Sequence, residues 1–377
     1  MRDVRAAHQI TSLRESSGSA VPCYLSSAPP QVHSLLNAAP PEIPPHSVPP
    51  LNMSLPRPPL DPDLQPALDR FAKDSGLIPQ DKLDARRNAA RLSWEAISKG
   101  KQDTISHTEV DIPGPAGPLR ASVLRSKKPE DANKTPAETI GIVHFHGGGF
   151  CTSDRFHGLN TLFPLIETLG VIVVGAEYRL TPEHPQPAPV EDSYAALQWA
   201  ASHSAELGFN PKKLITCGGS AGGNLTAGVS LLARDRKGPA ILGQLLLYPW
   251  ISDETSSPSL QQFGDLQPWT KEDTAHALDF ALGEDREGAS IYTLPASATD
   301  LSGLPPTYLD VGEADVFRDQ DVDFANRLWS DGVSTEFHVW LGAWHAFDTF
   351  APEAEVSRKA MQARLEWVKR LVERSEA

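Results

Sequence analysis

The sequence predicts an α/β fold: one central, mostly parallel sheet with helices on both faces and a helical cap. Two observations lead there. Short apolar runs alternate with helical stretches over most of the chain, the order that builds a single sheet wrapped by helices. Several of those runs are apolar throughout instead of alternating, as strands are when helices cover both of their faces. A chain of 377 residues, 40% of them hydrophobic, is long enough to bury such a core.

Taken in order, residues 1–60 read as a disordered leader. Paired prolines recur at Pro29-Pro30, Pro40-Pro41, Pro44-Pro45, Pro49-Pro50 and Pro58-Pro59. Proline removes a backbone donor and fixes φ, which favours extended, solvated chain over packing. Whether the start is Met1 or Met53 is left open. Residues 61–377 form the expected folded α/β domain, opening on helix formers with apolar residues at helical spacing (Leu64, Leu68, Phe71). Strands are expected at 104–112 and 119–124, split by the turn Pro113-Gly114-Pro115, then at 139–145, 171–178, 213–217, 241–248, 307–311 and 336–341. Helices are expected at 190–207, 224–234, 319–330 and 353–373. The stretch between Tyr248 and Thr307 breaks this rhythm and contains Pro268-Trp269 and a helical run over 271–282. An insertion of that size near strand ends usually covers a site. The cap is therefore expected from 61–100 together with 252–288.

Charge and composition narrow the function. A formal charge of −14 with scattered Lys and Arg disfavours nucleic acid and acidic membrane surfaces as partners. The three cysteines (Cys23, Cys151 and Cys217) do not form an even disulfide framework. No apolar run is long enough for an integral membrane segment, and the N-terminal residues lack the apolar centre of a secretory signal. A cytoplasmic location is the resulting expectation. The glycosylation patterns at Asn52, Asn133 and Asn224 then read as coincidence. No metal-ligand spacing and no phosphate loop occur, so no metal and no cofactor is expected. Oligomeric state is left open.

Two segments carry chemistry. In Leu214-Ile215-Thr216-Cys217-Gly218-Gly219-Ser220-Ala221-Gly222-Gly223-Asn224 an apolar strand runs into Gly-x-Ser-x-Gly, and a helix pattern follows at once. A serine at so sharp a strand-to-helix turn takes strained backbone angles, and flanking glycines let neighbouring chain approach. The turn lifts the hydroxyl out of the sheet, while the helix start offers free N–H groups to a developing oxyanion. Upstream, the strand Ile142-Val143-His144-Phe145 ends in His146-Gly147-Gly148-Gly149-Phe150. Three consecutive glycines are costly in backbone entropy and mark a place where the backbone itself must meet something closely. Such a loop completes the oxyanion hole of lipases and esterases. Gly147, Gly148, Gly149 and Ala221 are the candidate donors, and which two of the three glycines serve is left open.

These residues resemble the hormone-sensitive-lipase-like group of α/β-hydrolases, which includes carboxylesterases, arylacetamide deacetylases and plant carboxylesterases. Besides the elbow and His146–Phe150, the run Glu177-Tyr178-Arg179-Leu180-Thr181-Pro182-Glu183-His184-Pro185, then Glu191-Asp192 and Tyr194-Ala195-Ala196-Leu197, carry the likeness, which covers about residue 60 onward. The resemblance implies a serine esterase with Ser220 as nucleophile. It implies Asp315 as the acid, from Gly312-Glu313-Ala314-Asp315-Val316-Phe317-Arg318-Asp319. Asp310, inside the strand, and Asp319, at a helix start, are its competitors. The base falls at His345 in Gly342-Ala343-Trp344-His345-Ala346-Phe347, where the chain order Ser…Asp…His requires one. His184 reads as structural. One departure stands out: the family commonly has an acidic residue before the nucleophile, and this chain has Gly219.

The resemblance further implies a small-molecule substrate, a short- to medium-chain or acetyl ester of a small organic alcohol. Phe263, Trp269 and Phe280 are the candidates to line its pocket. Two alternatives share the scaffold, a receptor-like ligand-binding member and a dehydratase. The complete Ser220, Asp315 and His345 set argues for the enzyme.

Overall fold

The computed structural model describes residues 55–71, 82–283, 286 and 288–376. Residues 1–54, which hold Met53, Cys23 and nearly all of the expected leader, lie outside the described residues. The last leader residues are packed: Leu60 lies against the core, Gln262 donates to Pro56 O, and Arg57 pairs with Asp265. The expected boundary at residue 60 therefore falls a few residues late, because Leu60 brings apolar surface that the proline pairs around it lack.

All eight expected strands form, in one sheet: β1 Ile105–Gly114, β2 Gly117–Ser126, β3 Gly141–Phe145, β4 Ile172–Ala176, β5 Leu214–Gly219, β6 Gly243–Leu247, β7 Thr307–Gly312 and β8 Thr335–Trp340. Their order is β1-β2-β4-β3-β5-β6-β7-β8. The hairpin β1–β2 and the β2–β4 pair are antiparallel, and the other pairs are parallel. β3, β4, β6 and β7 are buried along their whole length, which is why they read as continuous apolar runs.

Alternate residues of each strand feed different layers, as the two-residue period requires. Val143 and Val174 face one side with Val190 and Leu225, from the helices Ala188–Ser202 and Ala221–Asp235. Ile142, Val173 and Ile215 face the other with Ile166 and Val368. Those come from the helices Phe163–Leu169 and Glu355–Glu376. The helix Phe163–Leu169 is not among the expected ones. Its sequence signals are Pro164 in the first turn and Gly170, which closes it at φ 65°.

The insertion folds into the helices Pro258–Phe263 and Lys271–Leu282, the second opened by a Thr270–Asp273 capping box. Before the sheet lie the helices Leu83–Ala90 and Trp94–Ile97. Arg87 fastens the first of these to the body through Cys151 O, Thr181 O and both oxygens of Glu183. Among the described residues no helix is long and apolar enough to cross a membrane.

Candidate active site

Strand order decides what can meet. The chain leaves β3 for β4 on one side, and β5 returns on the other side of β3. Loops leaving the C-terminal ends of β3 and β5 therefore share a crevice at this switch point. The loop after β3 is His146–Phe150, and β5 leads directly into Ser220.

Ser220 sits at φ 57°, ψ −122°, outside the regions open to ordinary side chains. The turn is tight enough that neighbouring residues must be glycine. A Cβ on Gly222 would lie 2.0 Å from Phe145 O, the last residue of β3. The turn is held by Ser220 N–H donating to Leu247 O and by Trp250 N–H donating to Ser220 O, each at 3.0 Å.

Asp315 follows β7 and His345 follows β8, and the two are brought together with Ser220 in one row. The Ser220 hydroxyl lies 2.9 Å from His345 Nε2, and His345 Nδ1 lies 2.9 Å from Asp315 Oδ2. The other Asp315 oxygen accepts from Phe317 N–H at 2.9 Å. Asp315 is fully buried, and Ser220 and His345 are each 6% exposed. Phe317 stands edge-on to the imidazole, with ring centroids 5.0 Å apart. Such a row can take a proton from the hydroxyl while the carboxylate holds the imidazole in one tautomer. The competing acids are placed elsewhere. Asp310, on β7, pairs with the buried Arg364, and Asp319 accepts from Ser259 N–H.

The glycine loop is fixed from below. Tyr178 OH donates to His146 O at 2.9 Å and its ring stacks on the His146 imidazole at 4.1 Å. Gly148 turns at φ 101°, a conformation open to glycine. Among the described residues the N–H groups of Gly147, Gly148, Gly149 and Ala221 have no protein acceptor. Gly147 and Gly148 face the cavity beside Ser220, while Gly149 is covered by Trp269, whose ring occupies the place of a Cβ.

A cavity of about 570 Å³ opens over Ser220. Its floor is polar, with His144, His157 and Tyr248. Ala90, Leu92, Ile97 and Phe71 from the segment before the sheet, with Pro268 and Trp269 from the insertion, make its roof. Arg86 joins the two roof segments by donating to Pro268 O at 3.1 Å. Burial pushes His144 down to about 3 and His146 and His157 to about 4, so all three are neutral beside His345 at pH 7. Burial also raises Cys151 and Cys217 to about 12, and both are free, unreactive thiols.

Of the three aromatic pocket candidates, Trp269 lines the cavity and Phe263 and Phe280 do not. Phe263 is buried under Arg57 and Arg318, and Phe280 packs against the core from the helix Lys271–Leu282. The helical period turns both rings towards the body instead of the cavity. The lining residues that sequence reasoning missed include small apolar ones, Ala89, Ala90 and Ala96, and nothing in their type marks a binding wall.

A serine at the switch point of an eight-stranded, mostly parallel sheet, facing a histidine and an acid from later loops, defines the class as an α/β-hydrolase. The family described as alpha/beta hydrolase fold matches residues 142–349. The chain is 35% identical over 300 residues to the carboxylic ester hydrolase LipN of Mycobacterium tuberculosis, covering 76% of this chain and 77% of LipN. It is 36% identical over 237 residues to the carboxylesterase NlhH of the same organism, covering 61% and 73%. A bacterial heroin esterase of known structure superposes with a TM-score of 0.74 at 30% identity, over 83% of this chain and 98% of its own. The chain belongs to the hormone-sensitive-lipase-like carboxylesterases of the α/β-hydrolase fold. It is an ester-cleaving enzyme.

Proposed function

We propose that the chain hydrolyses short- to medium-chain or acetyl esters of small organic alcohols through an acyl-enzyme on Ser220. The observation that carries this is the row Asp315–His345–Ser220, closed by two 2.9 Å contacts and opening on the cavity. His345 takes the Ser220 proton as the hydroxyl attacks the ester carbonyl, and Asp315 stabilises the imidazolium. The oxyanion is held by Ala221 N–H and by the glycine loop, with Gly147 and Gly148 favoured over Gly149 because Trp269 covers the latter. The protonated imidazole then releases the alcohol. Water, activated by the same histidine, releases the acid.

The cap, in this reading, is formed by 61–100 and 252–288, and its apolar roof takes the acyl chain or the alcohol body. Two buried free thiols suit a reducing, cytoplasmic setting. Ser220→Ala is expected to retain its circular dichroism spectrum and to lose turnover of nitrophenyl esters by about a million-fold. Retention of more than a few per cent of activity in purified variant would assign the nucleophile elsewhere.

A further inference from the structure

Residue 219 carries no side chain, yet the space beside it is filled. A Cβ on Gly219 would lie 2.8 Å from Tyr248 Cε2 and 3.2 Å from the Tyr248 hydroxyl. Tyr248 follows β6 at φ 37°, a conformation that a bulky residue keeps only when its surroundings impose it. Its N–H donates to Asp310 O at 2.6 Å. Its ring stands edge-on to His345 with centroids 5.3 Å apart. Its hydroxyl donates to Asp348 Oδ1 at 2.9 Å and lies 3.2 Å from Thr349 Oγ1.

Asp348 belongs to the single helical turn Phe347–Phe350 that follows His345 directly. Its other oxygen meets Arg364 Nη1, from the C-terminal helix. Arg364 also grips both oxygens of Asp310, with Nε at 2.9 Å and Nη2 at 3.1 Å. Asp310 lies on β7, the strand that leads into Asp315. Asp310 and Asp348 are fully buried and Arg364 is 1% exposed. One chain of interactions therefore joins the elbow at Gly219, the loop of His345 and the strand before Asp315.

A buried ion pair of this kind adds little net stability, since well-packed apolar residues often serve as well. What it supplies is geometry: a planar guanidinium fork fixes the separation of the carboxylates it bridges. We propose that Tyr248, held by Asp348, Arg364 and Asp310, is a positioning residue for His345, fixing the imidazole between Ser220 and Asp315 from the side that Gly219 leaves open. This rests on the reading of Ser220 as nucleophile and His345 as base. The Tyr248 ring occupies the space into which a side chain at residue 219 would point. The position of His345 is then set through its own loop, because Tyr248 grips Asp348 and packs against the imidazole itself.

The test uses the full chain with Tyr248→Phe, which keeps the ring and removes the hydroxyl, and with Asp348→Asn. Two rates are read: kcat for a nitrophenyl ester, and the single-turnover release of nitrophenolate as Ser220 is phosphorylated by a nitrophenyl dialkyl phosphate. Both rates are expected to fall together by about 10- to 100-fold, the scale of a misplaced catalytic group, with KM little changed. Unchanged rates in folded Tyr248→Phe protein overturn the proposal. So does a loss carried in KM alone, which would make Tyr248 a substrate contact, or a lower thermal midpoint with unchanged kcat per folded enzyme. Ser220→Ala is run in parallel. If it stays active, the nucleophile reading has failed. If it is inactive while Tyr248→Phe is fully active, only the positioning role has failed.

Discussion

Asp310, Asp315 and Asp319 are neighbours in sequence, and their surroundings give them three different duties. Asp315 commits one oxygen to His345 and the other to Phe317 N–H. Asp315→Asn is expected to leave the fold intact and to lower kcat by about 10⁴-fold, because the amide favours the wrong imidazole tautomer. From sequence, the same change at Asp310 or Asp319 should be mild. The structure revises that for Asp310. Asp310→Asn would leave the buried Arg364 with half of its compensation, a destabilisation of about 3–5 kcal/mol. Asp319, partly exposed and paired with its neighbour Arg318, keeps the mild expectation. Denaturant midpoints with kcat per folded enzyme separate the three. A catalytic loss at Asp319 larger than at Asp315 would reverse the assignment.

At the scale of elements, the elbow is written in the sequence and the roof is only half written. A strand, Gly-x-Ser-x-Gly and an immediate helix permit one geometry, since only glycine at 222 lets the turn pass Phe145 O. The insertion is recognisable by its length, and its long helix matches the expected 271–282 run. Which of its rings meets the cavity depends on helix rotation and docking. Trp269 lies just before that helix, with Nε1–H donating to Thr274 Oγ1 and its ring over Gly149. Trp269→Ala is therefore expected to raise KM and to shift chain-length preference, with the least effect on acetyl esters, at about 25 cal/mol for each Å² of substrate apolar surface left in water. Phe280→Ala is expected to lower the thermal midpoint and leave preference unchanged. A panel of nitrophenyl esters of rising chain length checks both. A preference shift in Phe280→Ala with none in Trp269→Ala would place the acyl wall elsewhere.

The whole molecule buries titratable groups of both signs, and its stability should follow pH accordingly. His144, at about 3 when folded and near 6.5 when unfolded, stays neutral in the fold where the unfolded chain takes up a proton. Its contribution is thus present above pH 6.5 and is lost as pH falls below it. Asp273, raised to about 6 by burial, has the opposite sign, favouring the fold at acid pH and losing that contribution as pH rises. The difference between wild type and His144→Asn isolates one of these contributions. The variant is expected to lose about 1.4 kcal/mol per pH unit of acid sensitivity between pH 6.5 and 4, read from urea midpoints. Equal slopes in the two proteins would mean that His144 is protonated in the fold.

Local pattern determined most of this protein by itself. The eight strands and the elbow were legible because apolar period, glycine cost and turn chemistry act between near neighbours in the chain. The family likeness in the motifs then supplied Asp315. Only the tertiary structure decided what meets across the sheet. Trp269 and not Phe263 or Phe280 forms the roof, Tyr248 fills the place beside Gly219, and Arg364 links Asp310 to Asp348. These choices depend on helix rotation and strand adjacency. Both are fixed by packing between segments far apart in sequence, where a residue's type does not say what it will face.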